Sequence, residues 1–342
     1  MRITSSSISS SDPAGSDLAG TWRRFSLVFA LSAAAALAGL VGLAYAVDPY
    51  DSGRSRLFAK AGVRPQGPRT AGASRGRDPA FDAAIIGNSH IQLLSPERLK
   101  EKTGLPFVQL SVPGTGPKEQ LVILDWFLRH RERPARSVVL GIDESWCTAD
   151  PDLANQKPFP FWLYSESPLD YARGLLRSDI LEELPRRLAY VFGAPGERAR
   201  PDGYWDYEAE NLGPGSDPAL WERRGGRPGD GAGNLTGRFP AAMALAARLL
   251  PFPAGLAFVL VFPPTYIAAQ PKPGTPRHAA DEACKARFRE LAAARPRTAV
   301  VDWRTDRPAN RDPALFLDET HYRQPIARAV ENEVAAALRT LR

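Results

Sequence analysis

From residue 80 onward, short apolar runs alternate with longer stretches whose apolar positions recur every three or four residues. Ala83 to Gly87, Pro106 to Val112, Ser137 to Ile142, Gly255 to Phe262 and Thr298 to Trp303 read as five strands. Ser95-Pro96-Glu97 gives a helix start, with serine as N-cap and proline at the first helical position, and Gly104 ends that helix. Lys118 to Arg131 has apolar residues at 121, 122, 124, 127 and 128, close to a 3.6-residue period. Asp281 to Ala294 and Ile326 to Leu341 are further helices. Strands alternating with helices predict an α/β domain over 80–342, with a five-stranded, mostly parallel sheet flanked by helices on both faces.

A different pattern occupies residues 25–47. Phe25 to Val47 is an uncharged, mostly apolar run of 23 residues with no polar face, against the about 20 needed to cross a bilayer as a helix. A cleaved signal peptide is the rival, since Ala44-Tyr45-Ala46 resembles a small-residue cleavage site. A signal h-region spans only about 7–15 residues, so the length favours an uncleaved anchor over a signal or a core helix. Arg23 and Arg24 lie directly before the run, and Asp48 and Asp51 follow it. Arg54, Arg56, Lys60 and Arg64 leave the count of positive charges undecided. The expectation is a single-pass membrane protein with its large domain extracytoplasmic, in the periplasm. Residues 1–24 read as disordered, and 48–79, rich in Gly, Pro and Arg, as a linker.

Between the third and fourth strands, an insertion at about 147–238 holds eleven aromatic residues, including Trp162, Tyr164, Trp205, Tyr207 and Trp221. Leu169 to Tyr190 is its one helix candidate, and Arg224 to Gly237 is Gly/Pro-rich loop. It could serve as a lid or substrate platform, or equally as a packed subdomain over a sheet edge.

Charge changes the picture only by its position. The net charge is +6, and residues 1–80 carry ten basic and five acidic side chains, so the remainder is nearly neutral. A basic tail beside a membrane segment fits this distribution, and no nucleic-acid partner is expected. The two cysteines, Cys147 and Cys284, form no Cys/His cluster that would suggest zinc, and no dinucleotide or P-loop fingerprint is present, so neither metal nor cofactor is implied. The cysteines could pair in an oxidising compartment or stay as buried thiols.

In open α/β sheets, ligands sit at the carboxyl ends of the strands. Asn88-Ser89, Gly114, Asp143 and Pro264 all follow predicted strands. Asp318-Glu319-Thr320-His321 precedes the last helix. A serine, a histidine and an aspartate are the groups needed for nucleophilic attack on an ester, with Ser89 as nucleophile, His321 as base and Asp318 orienting the imidazole. The blander readings are a turn serine, a helix-capping histidine and an aspartate capping a local turn. His90 is a second candidate base, ranked below His321 because adjacent side chains point in different directions.

These segments resemble the SGNH (GDSL-like) esterase and acyltransferase superfamily over about 80–342, without the insertion. Ile86-Gly87-Asn88-Ser89 looks like its first block, Leu110-Ser111-Val112-Pro113-Gly114 its second, Leu140-Gly141-Ile142-Asp143-Glu144 its third and Asp318-x-x-His321 its last. The resemblance implies a flavodoxin-like sheet, catalytic Ser89, Asp318 and His321, and an oxyanion glycine at Gly114. With the anchor, it also resembles bacterial members that acylate or deacylate envelope polysaccharides, so an acyl ester or carbohydrate is the implied substrate. One departure stands out. Many members carry an asparagine in the third block that helps hold the oxyanion, and Asp143 occupies that position here. An ionised carboxylate has no hydrogen to donate. Asn88 is a substitute donor on this reading. A catalytically inactive, membrane-anchored protein that binds glycan or a partner on the same scaffold is the alternative.

Overall fold

A computed structural model describes residues 14–58, 60, 62, 67–131, 133–148, 157–193, 200–210, 219, 234, 236–252 and 255–341. Five strands, β1 (Ala83–Ile86), β2 (Phe107–Gln109), β3 (Ser137–Gly141), β4 (Ala257–Phe262) and β5 (Thr298–Asp302), form one sheet in the order β2-β1-β3-β4-β5. Every neighbouring pair is parallel. Strand β2 is shorter than its apolar run suggests, but Leu110 and Val112 still donate to the carbonyls of Ile85 and Gly87, at 2.8 and 3.0 Å.

Side chains alternate across a strand, and both faces of this sheet are covered. Ala84, Ile86, Val138, Leu140, Phe258 and Leu260 enter one core, with Leu124 and Phe127 of helix α4 (Pro117–Arg129). Ala83, Ile85, Val139, Val259 and Val261 enter the other, with Val330 and Val334 of the terminal helix Gln324–Thr340. Helix α3 (Pro96–Thr103) packs on the terminal helix. It starts and stops as its sequence predicts: Ser95 Oγ accepts from Arg98 N, and Gly104 adopts a left-handed φ of 70°.

Helix α1 spans Ala14–Val47, and its segment Gly20–Val47 is apolar and long enough to cross a membrane. That is compatible with a single-pass anchor, and a signal sequence near the N-terminus also satisfies this criterion. The helix begins before Phe25, so residues 14–24 are helical where disorder was expected, while 1–13 lie outside the described residues. Once an apolar run has nucleated a helix, each added residue costs little.

The expected linker is largely folded. Helix α2 (Pro68–Arg77) packs against α4 and buries Ala71, Gly72, Ala73, Ser74 and Gly76. Between α1 and α2, Asp48 accepts hydrogen bonds from Ser52 N and Oγ, at 2.9 and 2.8 Å, and from Tyr171 Oη at 2.8 Å. Asp51 accepts from Ser74 Oγ at 2.6 Å and pairs with Arg77, and Arg187 lies 3.6 Å away.

The insertion is described in part, and Trp221 and most of Arg224 to Gly237 lie outside the described residues. The helix expected over Leu169 to Tyr190 is two helices, Pro168–Gly174 and Asp179–Val191. Gly174 ends the first where the Trp162 ring leaves no room for a Cβ. Tyr164 and Tyr171 are buried in the core shared with α4, so this part is a packed layer.

Candidate functional site

The chain leaves β1 toward β2 on one side and β3 toward β4 on the other, so the carboxyl ends of β1 and β3 flank the point where the strand order reverses. Crevices form at such points. After β1, Gly87 makes the turn: a Cβ there would lie 2.5 Å from Ile91 Cγ2. Asn88 Oδ1 then accepts from His90 N at 3.1 Å, capping the 3-10 turn Ser89–Ile91. Ser89 is the first residue of that turn, so its N–H has no acceptor within it.

His321 comes from the opposite end of the chain. Phe316 and Tyr322 form an antiparallel bridge, Leu317 N donates to His321 O at 2.7 Å, and Tyr266 N, beyond β4, donates to Glu319 O at 2.9 Å. These bonds fix the loop Asp318–His321 over the strand ends. His321 Nε2 lies 2.8 Å from Ser89 Oγ, and its Nδ1 lies 2.8 Å and 2.9 Å from the two oxygens of Asp318. Asp318 Oδ1 also accepts from the backbone N–H groups of Thr320 and His321, each at 2.8 Å. Burial pushes the Asp318 carboxyl up, but the hydrogen bond and charge of His321 and these two amides outweigh it and hold it well below the usual carboxylate range. Ser89, His321 and Asp318 therefore form one hydrogen-bonded chain.

The other candidates divide. Gly114 lies in the exposed turn after β2 with a left-handed φ of 68°. The neighbouring Thr115 accepts from Asn88 Nδ2 at 3.3 Å, which sets this turn against the Asn88 turn. Asn88 does not serve as a spare oxyanion donor. Its amide has two hydrogens, and they point to the Thr115 carbonyl and to Asp143 Oδ2. Asp143 follows β3, and its Oδ1 caps a second 3-10 turn, Glu144–Cys147, by accepting from Ser145 N at 3.0 Å. Its carboxylate is thus an acceptor hub that orients Asn88.

Three side chains join the site that sequence reasoning underused. The His90 ring stands edge-on to His321 with centroids 5.0 Å apart, and its Nδ1 is 3.7 Å from Asp143 Oδ2. Desolvation pushes its pKa down, against the pull of Asp143 and helped by the proximity of His321. Tyr207, from the insertion, stands edge-on to His321 at 5.9 Å and donates to Tyr322 O at 3.1 Å. Only its place among the insertion aromatics hinted at this. Ser145, which carried no signal in the sequence, donates from its Oγ to Asp143 Oδ1. No group of His, Cys, Asp and Glu suited to a metal ion occurs among the described residues.

Cys147, at the end of the second 3-10 turn, is disulfide-bonded to Cys284 in the helix Pro276–Ala294, with Cα atoms 5.6 Å apart. Comparison with protein-family models and with curated proteins finds no match.

Proposed function

We propose that this protein is a membrane-anchored serine esterase or O-acyltransferase, SGNH-like in its site, acting on an acyl ester of an extracytoplasmic carbohydrate. The observation that carries the reading is the unbroken chain from Ser89 Oγ through His321 to Asp318, with 2.8 Å at both links. His321 Nε2 takes the Ser89 proton as Oγ attacks the ester carbonyl. Asp318 holds the ring in the tautomer that leaves Nε2 free to accept, and stabilises the imidazolium that forms. The imidazolium then protonates the leaving alkoxide. Water or a sugar hydroxyl, deprotonated by His321, resolves the acyl-enzyme into hydrolysis or transfer. The N–H groups of Ser89 and Gly114 are the donors for the oxyanion, since Asn88 is engaged by Asp143 and Thr115.

One feature supports the placement outside the cytoplasm, and another supports an uncleaved anchor. The Cys147–Cys284 pair suits an oxidising compartment. Ala44, within the candidate cleavage site, is fully buried in the domain core, which favours retention of α1.

A fluorophosphonate probe tests the chemistry. The wild type is expected to be labelled and Ser89→Ala to lose all labelling. An unlabelled wild type, or equal labelling of Ser89→Ala, overturns the enzyme reading in favour of an inert binding protein. The Asp143 carboxylate beside the site is the observation that favours that second reading.

A further inference from the structure

The apolar part of α1 does not stop where the globular domain begins. Phe25 to Gly39 is exposed, but Leu40, Val41 and Tyr45 are partly buried against the domain core and Ala44 and Val47 lie within it. At 1.5 Å per residue, the fifteen exposed residues from Phe25 to Gly39 span only about 22 Å. A bilayer core is about 30 Å thick. With Arg23 and Arg24 in the far headgroups, the core reaches about Ala44, past Leu40 and Val41, where the domain already packs on one side of the helix while Gly42 and Leu43 stay exposed. The domain therefore has no room to stand off the membrane.

The surface around this junction has the composition that level requires. Tyr45 and Trp162 are partly buried there and rest on the buried rings of Tyr171 and Tyr50, with centroids 5.5 to 5.8 Å apart. Tyrosine and tryptophan concentrate at the headgroup level of membrane proteins. Helix Asp179–Val191 packs on α1. On it and beside it, Leu176, Leu181 and Phe192 are 54%, 62% and 76% exposed. Leu57 is 77% exposed, and its neighbour Phe58 contacts the Phe192 ring at 6.4 Å. Asp179, Glu182, Arg177 and Arg186 are interspersed, and Arg56 and Lys60 lie beside Leu57, so the patch carries both charges.

We infer that this rim, carrying Leu57, Leu176, Leu181 and Phe192, is sunk into the same bilayer leaflet that α1 leaves, so that the domain rides on the membrane surface as a partly inserted body. The occupant is lipid: the rim is continuous with an apolar helix whose free length is too short to span a bilayer alone. This rests on reading α1 as an anchor. The buried Asp48 and Asp51 network makes the arrangement stiff, because no flexible segment separates helix from domain.

Spin labels test it in the full chain, reconstituted in phosphatidylcholine nanodiscs. The two native cysteines are disulfide-bonded, so introduced cysteines label selectively. Labels at Ala33→Cys, Leu176→Cys, Leu181→Cys and Phe192→Cys are compared with an exposed control, Arg311→Cys. The expected result at Ala33 and the three rim positions is higher collision with oxygen than with a water-soluble nickel chelate, reversed at Arg311. Lipid behaviour at Ala33 with water-like behaviour at all three rim positions overturns the inference alone. Rim labels shielded from both reagents would mark a protein partner and also overturn it. Water-like behaviour at Ala33 removes the anchor, and the inference with it.

Discussion

At the scale of single residues, the site is held by groups that do no chemistry themselves. Asp143 is 7% exposed and accepts from Asn88 and from Ser145. Asp143→Ala leaves the Asn88 amide without its charged acceptor, at an expected cost of about 1–3 kcal/mol, read as a lower urea midpoint. In the proposed enzyme, Asp318→Asn is expected to cost on the order of 10⁴-fold in kcat with little change in fold, because the amide favours the wrong histidine tautomer. Gly87→Ala is expected to destabilise by roughly 1–3 kcal/mol through its clash with Ile91, and the double variant Gly87→Ala/Ile91→Ala to cost less than the sum of the two. His90 gives a pH signature. Its folded pKa is lowered, so the unfolded chain binds more protons as pH falls below about 6.5. The stability this group contributes is present above that pH and lost as pH falls toward the folded value. His130 is lowered as well, so the measurement is the difference in urea midpoint against pH between wild type and His90→Gln, whose slope is expected to be shallower. Ser89, Asp318 and His321 were legible in the sequence because Asp-x-x-His places both partners in one short loop. The orientation of Asn88 was not, since a side-chain amide can turn either way and only the position of Asp143 decides.

At the scale of elements, the strands were legible and the junction was not. Strands covered on both faces read as continuous apolar runs; β1 and β4 are apolar from end to end, and β3 departs from this only at Ser137. Helix α2 gave no such signal because it packs through small residues instead of large ones. A Cβ on Gly72 would lie 2.8 Å from Tyr164 Oη, and one on Gly76 would lie 3.0 Å from the Trp126 ring. An Arg-, Gly- and Ser-rich segment of this kind looks like linker by composition while serving as a close-approach surface. The same junction predicts an asymmetry at Asp51. Its carboxyl is pushed up by burial, more strongly than Arg77, Ser74 and Arg187 pull it down. Asp51→Asn keeps one acceptor oxygen of two and removes the charge that faces Arg77 and Arg187, so it is expected to destabilise, though less than Asp51→Ala because the side-chain volume is kept. Asp51→Ala leaves Arg187, whose side chain is 2% exposed, short of its counter-charge and is expected to cost about 3–5 kcal/mol in thermal or urea unfolding.

At the scale of the whole molecule, residues from both ends of the domain meet at one strand edge, and a covalent link reinforces that meeting. Cys147 and Cys284 are 137 residues apart in sequence. Breaking the bond, by reduction or by Cys284→Ser, is expected to lower stability by about 2–5 kcal/mol, read as a fall in Tm. The bond begins four residues after Asp143, in the turn that Asp143 caps, and Asp143 in turn holds the residue beside Ser89. Contacts thereby run from the disulfide through Asp143 to the turn that carries Ser89. In the proposed enzyme, reduction of the disulfide is expected to loosen the turn that Asp143 caps and to slow fluorophosphonate labelling of Ser89.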